Sequence, residues 1–482
     1  MFDRDAEWRD LVAFARQSGP GVRLALVRGR RRQGKSFLLR RLAEATGGFY
    51  YQALDQERSQ ALEDLGRALG EHLYVPGGRL AFRGWDEALE ALTQLRQGRK
   101  PTLVVIDEFP YLLAHSPELP SQLQRRVDAS RNSGPPVRLV ICGSALSVMA
   151  SLLEGAQALR GRATHDLPLG TFDYRTAARF WGISDARTAF AIHSVVGGTP
   201  GYRDLLPVKT PSRMSDFARW LEQGVLNPAS ALFREDDYLL TEERSLTDRA
   251  LHHAVVGAIS AGNTTQSAIA AALGREARAV QHPLRALEDA GFVTRLDDML
   301  RSRRPIYGLA APIVRFHHVV TRPDLARFED RRFRDAWADA QPRFSAHVLG
   351  PHFEQLAREF TLKFASAATS GGTVASVGPA VINDPRARTQ HELDVVAKSR
   401  TRSGANRVAA IGEAKHSVRP RTVADLTRLE HIRSMLIDRS EATTDTKLML
   451  FAASGFDHNL TATAETRGDI ELVDLDRMYS GE

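Results

Sequence analysis

Cysteine is almost absent from the sequence, which contains only Cys142 among 482 residues. A disulfide within the chain is therefore excluded, as is usual for cytoplasmic proteins. Cys142 lies in the apolar segment LVICG, which favours a small buried core residue over a reactive thiol.

Long apolar segments are also missing. No stretch approaches the roughly 18 consecutive apolar residues that a membrane-spanning helix needs. The opening segment MFDRDAEWRD is charged and lacks the apolar core of a signal peptide. We therefore expect a cytoplasmic localisation and no membrane partner.

The overall composition is that of a globular protein. Hydrophobic residues make up 43% of the chain and charged residues 26%, and at about 100–200 residues per domain the length predicts about three domains. The net charge of +7 is compatible with nucleic acid or an anionic membrane as partner and identifies neither.

Apolar segments alternate with amphipathic helical patterns in the first 205 residues, which predicts a parallel α/β sheet. The predicted strands are residues 22–27, 49–54, 103–107, 138–143 and 165–170. Residues 206–245 have a helical pattern, and the chain returns to an α/β pattern at 346–482.

The segment GRRRQGKS matches the phosphate-binding pattern G-x-x-x-x-G-K-[ST] and stands between a predicted strand and a predicted helix. Two glycines let backbone N–H groups turn towards phosphates, and the helix N-terminus adds its positive dipole end. Lys35 is expected to reach the β- and γ-phosphates of ATP, and Ser36 to bind Mg²⁺. The predicted nucleotide-binding residues are Gly29, Arg30, Arg31, Arg32, Gln33, Gly34, Lys35, Ser36 and Phe37.

An acidic pair follows the strand at 103–107. Asp107 is expected to hold the Mg²⁺ shell, and Glu108 to act as the general base towards the attacking water. The alternative is that both residues only cap a strand. Ser144 follows the next strand, where it would sense the γ-phosphate or cap the helix that begins there.

These motifs together resemble the archaeal-type ATPase family, a branch of the STAND and AAA+ P-loop ATPases that also occurs in bacteria. The likeness rests on GRRRQGKS, IDEFPYLL, ICGSALSVM, LRGR and VVGGTPGYRDLL and covers about the first 240 residues. It implies that Arg4 lies near the adenine pocket, and that Gly197, Gly198 and Pro200 precede a lid helix, with Pro200 at the nucleotide.

An arginine finger is not assigned by this resemblance. AAA+ proteins typically have Asn at the sensor strand, where this chain has Ser144. Arg162 is the candidate finger beside Arg125 and Arg126, for which a solvated arginine face is the alternative. Because such a finger often comes from a neighbouring subunit, a homo-oligomer is compatible with the sequence.

The segment at 264–296 resembles a winged helix-turn-helix. A short helix, a turn at Gly274, a second helix from about Arg275 to Asp289 and a wing strand follow one another. Pro283 falls inside the second helix and is expected to kink it or end it early. The predicted core face consists of Ile269, Leu273, Val280, Leu284 and Leu287.

Polar side chains of this segment suit contacts with DNA, where such a helix enters the major groove and basic wing residues meet phosphates. A protein-interaction or autoinhibitory module is the alternative, because fold alone does not decide function. The candidate DNA-binding residues are Arg275, Arg278, Gln281 and Arg285 on the helix and Arg301, Arg303 and Arg304 in the wing.

The last domain contains a second candidate metal site. Asp394 lies on one predicted strand, and Glu413 and Lys415 lie two residues apart on the next, so that both face the same side. A polar segment at 399–406 predicts the hairpin turn between them. This arrangement resembles PD-(D/E)XK nucleases and the restriction-endonuclease-like domain that follows the ATPase in the archaeal-type family.

The resemblance implies metal-dependent cleavage of DNA. Asp394, Glu413 and Glu354 would bind Mg²⁺ or Mn²⁺ through oxygen ligands. Lys415 would orient the attacking water or stabilise the pentavalent state. Glu392 and His416 are interpreted as bystanders. A degenerate fold that no longer cleaves is the alternative.

The sequence thus predicts an α/β protein in five parts: a P-loop ATPase at 1–205, a helical lid at 206–245, a winged helix at 246–310, a helical linker at 311–345 and a nuclease-like domain at 346–482. The predicted function is ATP binding and hydrolysis coupled to DNA binding and Mg²⁺-dependent DNA cleavage. The alternative is a nucleotide-switched signalling or regulatory protein that does not cleave DNA.

Overall fold

A computed structural model describes residues 2–96, 100–131, 133–243, 245–301, 305–400 and 406–482. The chain divides into two compact units. The first consists of residues 1–171, 199–201 and 239–247, and the second of residues 172–198, 202–238 and 248–482. Residues 172–198 and 202–205, which the sequence placed with the ATPase, thus group with the second unit.

The first unit is built on a five-stranded parallel sheet with the strand order β2-β3-β4-β1-β5. Its elements are α1 (Asp5–Ala15), β1 (Val22–Arg28), α2 (Lys35–Thr46), β2 (Phe49–Gln52), α3 (Arg58–His72), α4 (Trp85–Thr93), β3 (Thr102–Asp107), α5 (Phe109–His115), α6 (Leu119–Ala129), β4 (Val137–Gly143), α7 (Leu146–Ser151) and β5 (Ala163–Pro168). All five predicted strands are confirmed.

Helices cover both faces of this sheet, because its central strands are apolar on both sides. Every residue of β3 and β4 is buried. Leu24 and Ile106 pack with α3, α4 and α6 on one face, whereas Ala25 and Cys142 pack with α1 and α2 on the other. Cys142 is fully buried, as predicted, and burial raises the pKa of its thiol.

The second unit begins with helices and a two-stranded antiparallel hairpin. These elements are α8 (Tyr174–Trp181), α9 (Ala186–Val196), α10 (Tyr202–Leu205), α11 (Phe217–Gln223), α12 (Glu235–Glu242, whose last residues group with the first unit), α13 (Arg249–Ser260), α14 (Gln266–Ala272), α15 (Gln281–Asp289), β6 (Val293–Leu296), β7 (Ile306–Leu309), α16 (Pro312–Phe316), α17 (Leu325–Glu329) and α18 (Phe333–Phe344).

Short 3₁₀ and π segments complete this helical part. The 3₁₀ turns are Met214–Asp216, Ala277–Val280 and Arg322–Asp324, and the π turns are His317–Thr321 and Ser345–Leu349. Within the described part of the chain, no helix is both long and apolar enough to cross a membrane.

A mixed five-stranded sheet with the order β12-β11-β10-β9-β8 completes the second unit. Its elements are α19 (Gly350–Lys363), β8 (Val374–Asp384), β9 (Thr389–Arg400), β10 (Asn406–Lys415), α20 (Val423–Asp438), β11 (Lys447–Ala452), α21 (His458–Glu465), β12 (Ile470–Asp474) and α22 (Leu475–Ser480). The strands β10, β11 and β12 are parallel, and β8, β9 and β10 pair antiparallel.

The two faces of this sheet pack against different helices. Ala410 and Met449 contact the apolar face of α19, whereas Ile411 and Leu450 contact α20. The antiparallel pairing of β9 and β10 agrees with the predicted hairpin, whose turn residues 401–405 lie outside the described residues.

Candidate functional site

The phosphate-binding loop connects the end of β1 to the start of α2. Gly34 is the N-cap of α2 with φ 95°, a left-handed conformation that favours glycine. A Cβ atom on Gly29 would lie 2.4 Å from the carbonyl oxygen of Leu169, so a larger residue cannot take this position. Glycine is therefore required at the two positions for different reasons: the backbone conformation at Gly34 and the close packing at Gly29.

The basic residue of the loop is held inside it. Lys35 is 4% exposed, and its Nζ donates a hydrogen bond to the carbonyl of Arg30 at 3.1 Å. Arg31 forms an ion pair with Glu242, and the side chain of Phe37 is exposed. The loop thus presents a buried ammonium group where phosphates are expected.

Asp107 and Glu108 lie at the carboxyl end of β3. Asp107 is fully buried and accepts a hydrogen bond from the hydroxyl of Tyr50 at 2.6 Å and another from the backbone N–H of Glu108 at 3.0 Å. Glu108 has φ 54°, an uncommon left-handed conformation for a residue with a side chain. Such backbone strain is found most often at functional sites.

Ser144 contacts Glu108 directly. Its Oγ donates to Oε2 of Glu108 at 3.0 Å, and its backbone N–H donates to the same oxygen at 3.3 Å. Burial raises the pKa of Glu108, while Lys35 and the Ser144 hydrogen bonds lower it. Ser144 therefore orients the predicted base.

The helix that follows Ser144 is capped by another residue. Glu243 accepts hydrogen bonds from the N–H of Leu146 and the hydroxyl of Ser147, both at 2.7 Å. Ala145, the N-cap of α7, makes no side-chain cap, so the capping role considered for Ser144 is not what the structure shows. The sequence did not single out Glu243, because a cap 97 residues away leaves no local pattern.

Arg4 lies against the phosphate-binding loop. Its Nη2 donates to the carbonyls of Gly170 at 2.6 Å and Gln33 at 3.4 Å, and Nη1 contacts Glu7 at 2.8 Å. The segment around Pro200 also reaches the loop, since the N–H of Gly201 donates to the carbonyl of Arg32 at 3.1 Å.

The candidate arginine fingers all have acidic partners in the first unit. Arg162 contacts Asp128 with Nε and Nη2 at 2.9–3.1 Å. Arg126 lies 3.1 Å from Asp86, and Arg125 lies 3.7 Å from the same carboxylate.

In the second unit, α13, α14, α15 and the β6–β7 hairpin follow one another in the order expected of a winged helix. The predicted second helix is broken: a 3₁₀ turn precedes α15, which begins at Gln281. Pro283 therefore lies in the first turn of α15, where a missing N–H breaks no helical hydrogen bond. The predicted kink inside one long helix is wrong for this reason.

The orientation of the side chains in this segment follows the prediction. Ile269, Val280, Leu284 and Leu287 are buried, and Leu273 is half-buried. The residues expected to face outward are exposed: Arg275, Arg278, Gln281 and Arg285.

The loop between β6 and β7 is held on the C-terminal sheet. Asp298 is buried, and its carboxylate accepts hydrogen bonds from the N–H groups of Leu300, Arg301 and Val381. Arg301 is half-buried. Arg303 and Arg304 lie outside the described residues.

Two of the predicted nuclease-like residues interact electrostatically, Glu354 on α19 and Asp394 on β9. Burial and the nearby charge of Asp394 raise the pKa of Glu354 to about 7, and burial raises the pKa of Asp394. Asp394 accepts a hydrogen bond from the N–H of Ala414 at 2.8 Å, and Arg358 donates to its carbonyl at 3.0 Å. These residues form an acidic pair at the point where β9 and β10 stop pairing.

Glu413 is engaged by arginines. Its Oε2 accepts a hydrogen bond from Arg421 at 2.8 Å, and Nε of Arg428 lies 3.2 Å from Oε1. Glu413 and Arg421 are both buried. Lys415, two residues further along β10, is exposed. The sequence did not predict these arginine contacts. Arg428 lies on α20 and Arg421 just before that helix, so neither shares a local sequence pattern with Glu413 on β10.

Comparison with known proteins gives the first unit its class. Residues 1–201 match a family described as an ATPase domain predominantly from Archaea. These residues thus carry an archaeal-type ATPase domain, and with it nucleotide binding. The resemblance stated from the motifs is confirmed for this part of the chain.

One curated relative and several solved structures are also similar. An uncharacterized protein of Methanocaldococcus jannaschii is 25% identical over 344 residues, which are 70% of this chain and 72% of the relative. A Walker-type ATPase of Pyrococcus abyssi has a TM-score of 0.49 and 19% identity, and covers 66% of this chain and 96% of its own. The Aeropyrum pernix ORC1 protein in complex with DNA has a TM-score of 0.33 and 17% identity, with 68% and 94% covered.

Proposed function

We propose that the first unit hydrolyses ATP, with Glu108 as the general base. The contact between Ser144 and Glu108 is the observation that carries this proposal, because it fixes the carboxylate of a half-buried residue with a strained backbone at the end of β3. A base whose pKa is raised towards the working pH is more effective in proton transfer. The family match of the same residues supports the reaction type.

The residues of this site fit a nucleotide and its metal ion. The space beside Gly34 is open, and Lys35 is buried within the loop. Lys35 and the loop N–H groups would hold the phosphates, and Ser36 and Asp107 would hold Mg²⁺. When bound, the metal offsets negative charge on the phosphates. Glu108 accepts the proton of the attacking water, and Ser144 keeps its carboxylate in place.

Two substitutions test the ATPase. We expect Lys35→Ala to abolish ATP binding and Glu108→Gln to lower kcat about 10²–10⁴-fold while ATP still binds, as for loss of a general base. Lys209→Ala and Glu154→Gln are matched controls at exposed positions of the chain. ATP hydrolysis that survives both Lys35→Ala and Glu108→Gln would contradict the proposal.

We further propose that the second unit binds DNA and cleaves it with Mg²⁺ or Mn²⁺. The exposed arginines before and on α15 would contact the DNA. Glu354 and Asp394 fit a cation with oxygen ligands, because two adjacent carboxylates are held in a site that raises the pKa of both. When bound, the cation activates water and offsets charge on the scissile phosphate. Lys415 would orient that water.

A second candidate function is favoured by the contacts of Glu413. Its two arginine partners occupy the carboxylate that would complete the metal shell. A nucleotide-switched regulatory protein that binds DNA or protein without cleaving it accounts for this arrangement.

A cleavage assay separates the two functions. Wild-type protein is incubated with single-stranded, duplex and branched DNA, with Mg²⁺ or Mn²⁺, and with or without ATP. Cleavage that is lost in Asp394→Asn and Lys415→Ala but kept in the exposed control Asp438→Asn supports a nuclease. Absence of cleavage in the wild type, or equal cleavage in all variants, supports the regulatory protein.

A further inference from the structure

Three side chains with metal-ligating atoms converge at one end of the C-terminal sheet. They are Asp384 at the end of β8, His391 near the start of β9 and His431 on α20. One ligand atom from each lies within 4.8 Å of the others. Nε2 of His431 is 3.0 Å, and Nε2 of His391 3.7 Å, from Oδ2 of Asp384.

Three elements, β8, β9 and α20, each hold one of these side chains. His391 pairs with Ile382 across the β8–β9 ladder, two residues before Asp384. Oδ1 of Asp384 accepts hydrogen bonds from the N–H groups of Arg386 and Ala387, both at 3.0 Å. These bonds fix the carboxylate so that Oδ2 points to the imidazoles, as outer contacts do for metal ligands.

Hydrogen bonds among Asp384, His391 and His431 leave one of their polar atoms without a partner in the described structure. His431 is close enough to Asp384 for a hydrogen bond, but His391 is not. Nε2 of His391 is a buried atom with no hydrogen-bond partner among the residues that the structure describes. A buried polar atom that lacks a partner is uncommon and points to an ion or water.

A second group with similar atoms is less suited to a cation. Asp236, His253 and His318 also lie within 4.8 Å of one another. However, Nη1 of Arg322 lies 2.8 Å from Nδ1 of His253, so a fixed positive charge stands beside this group. Among the described residues that act on the Asp384 carboxylate, Arg386 is the one basic residue besides the two histidines, and it does so through its backbone N–H and not its guanidinium.

We propose that Asp384, His391 and His431 bind one divalent transition-metal ion, with Zn²⁺ as the physiological candidate. Two imidazoles and one carboxylate match the ligand preference of Zn²⁺, whereas Mg²⁺ prefers oxygen ligands only. The side chain of His431 is 55% exposed, so the fourth coordination position is open to water. This site is distinct from the acidic pair Glu354 and Asp394, and it does not depend on nuclease activity.

The bound ion would tie the β8–β9 hairpin to α20. Arg428, which contacts Glu413, lies three residues before His431 and so on the same face of that helix. The ion therefore stabilises the helix that carries one of the arginine partners of Glu413.

Metal titration of the tag-free full-length protein tests this site. We expect one equivalent of Zn²⁺ to bind, and Co²⁺ to give an absorption spectrum of a nitrogen- and oxygen-ligated ion. His391→Gln and His431→Gln should each weaken Zn²⁺ binding by at least about tenfold, since even outer contacts contribute 10–100-fold. His431 is largely exposed, so its variant decides the question if His391→Gln does not fold.

Control variants distinguish this site from others. His458→Gln is an exposed histidine elsewhere in the unit, and Glu354→Gln removes a ligand of the proposed nuclease site; both should bind Zn²⁺ as the wild type does. Absence of Zn²⁺ binding by the wild type, or unchanged affinity in both histidine variants, would overturn the proposal. Loss of binding only in Glu354→Gln or His253→Gln would also overturn it, because the ion would then lie elsewhere.

Discussion

At the scale of single residues, the hydrogen bond from Ser144 to Glu108 links two strands of the first sheet at its catalytic edge. Ser144 follows β4 and Glu108 follows β3, and the two strands are neighbours. The predicted sensor residue Ser144 thus contacts the proposed base Glu108 directly. A change at Ser144 should therefore affect catalysis more than nucleotide affinity.

We expect Ser144→Ala to lower kcat for ATP hydrolysis about tenfold, since a net contribution of about 1.4 kcal/mol is typical of a hydrogen bond to a charged group. The KM for ATP should change little. Because the Ser144 hydrogen bonds lower the pKa of Glu108, the acid limb of the kcat–pH profile should move to higher pH. As a control, the exposed Glu154→Gln variant should have the same kcat–pH profile as the wild type. An unshifted profile in Ser144→Ala would contradict a role of the Ser144 hydrogen bond in setting the pKa of Glu108.

The raised pKa of Glu354 has its own consequence for metal binding. With a pKa of about 7, Glu354 is protonated below neutral pH and then cannot ligate a cation. Mn²⁺ affinity at this site should therefore fall as pH is lowered through 7, by up to about tenfold per pH unit for one competing proton. Glu354→Gln should remove this dependence.

The measurement is a Mn²⁺ titration at several pH values in the His431→Gln background, so that the histidine site does not contribute. The same pH dependence with and without Glu354 would show that another group takes up the proton.

At the scale of elements, the 3₁₀ turn Ala277–Val280 and α15 form a surface that carries two exposed arginines. Arg278 and Arg285 have side chains 92% and 82% exposed, and the buried face of α15 packs on the hairpin side of the same segment. If this surface binds DNA, its arginines act mainly through phosphates.

We expect the double variant Arg278→Ala/Arg285→Ala to weaken DNA binding for all sequences and to reduce the salt dependence of log K by about two, one for each lost phosphate contact. Fluorescence anisotropy at several salt concentrations measures both. The exposed pair Arg332→Ala/Arg334→Ala removes the same charge elsewhere in the unit. Equal losses in both double variants would point to net charge instead of a defined surface.

Local patterns explain which elements the sequence could predict. The strands β1, β3 and β4 consist mainly of apolar residues that are buried on both faces of the sheet, so periodicity and length suffice to predict them. The strand β8 was missed because Gly378 and Pro379 interrupt it, at a register shift that leaves Pro379 unpaired with β9. The start of α15 was misplaced because a 3₁₀ turn and an α-helix have the same apolar spacing over a few residues.

The same limit applies to the candidate sites. Lys35, Asp107 and Glu108 belong to motifs and could be proposed as site residues from the sequence, as could Asp394 and Glu413. Partners far away in the sequence could not, since no spacing relates Glu243 to α7 or Arg428 to Glu413. These partners set the orientations of the side chains and helices that they contact, which depend on the folded structure.

At the scale of the whole molecule, the chain enters each unit more than once. It leaves the first unit after residue 171, returns for residues 199–201, and returns again for residues 239–247. The last of these segments carries Glu243, which caps α7. The chain therefore passes between the two units five times, after residues 171, 198, 201, 238 and 247.

We expect the DNA affinity of Glu108→Gln to respond to ATP, because this variant holds ATP without hydrolysing it. Lys35→Ala should show no response. Allosteric coupling is typically 1–3 kcal/mol, so a change of about 5- to 150-fold is expected. Anisotropy with labelled DNA, with and without ATP, measures the response, and an equal response in both variants would rule out coupling through the P-loop.

Because residues 239–247 belong to the first unit, the order of translation affects when this unit can be completed. At about 5–20 residues per second, the ribosome needs roughly 4–15 s after residue 171 to complete the segment that carries Glu243. During this time all strands of the first sheet have been synthesised, but the N-terminus of α7 beside Ser144 has no cap. The nascent ATPase is therefore completed only after a part of the second unit has been translated.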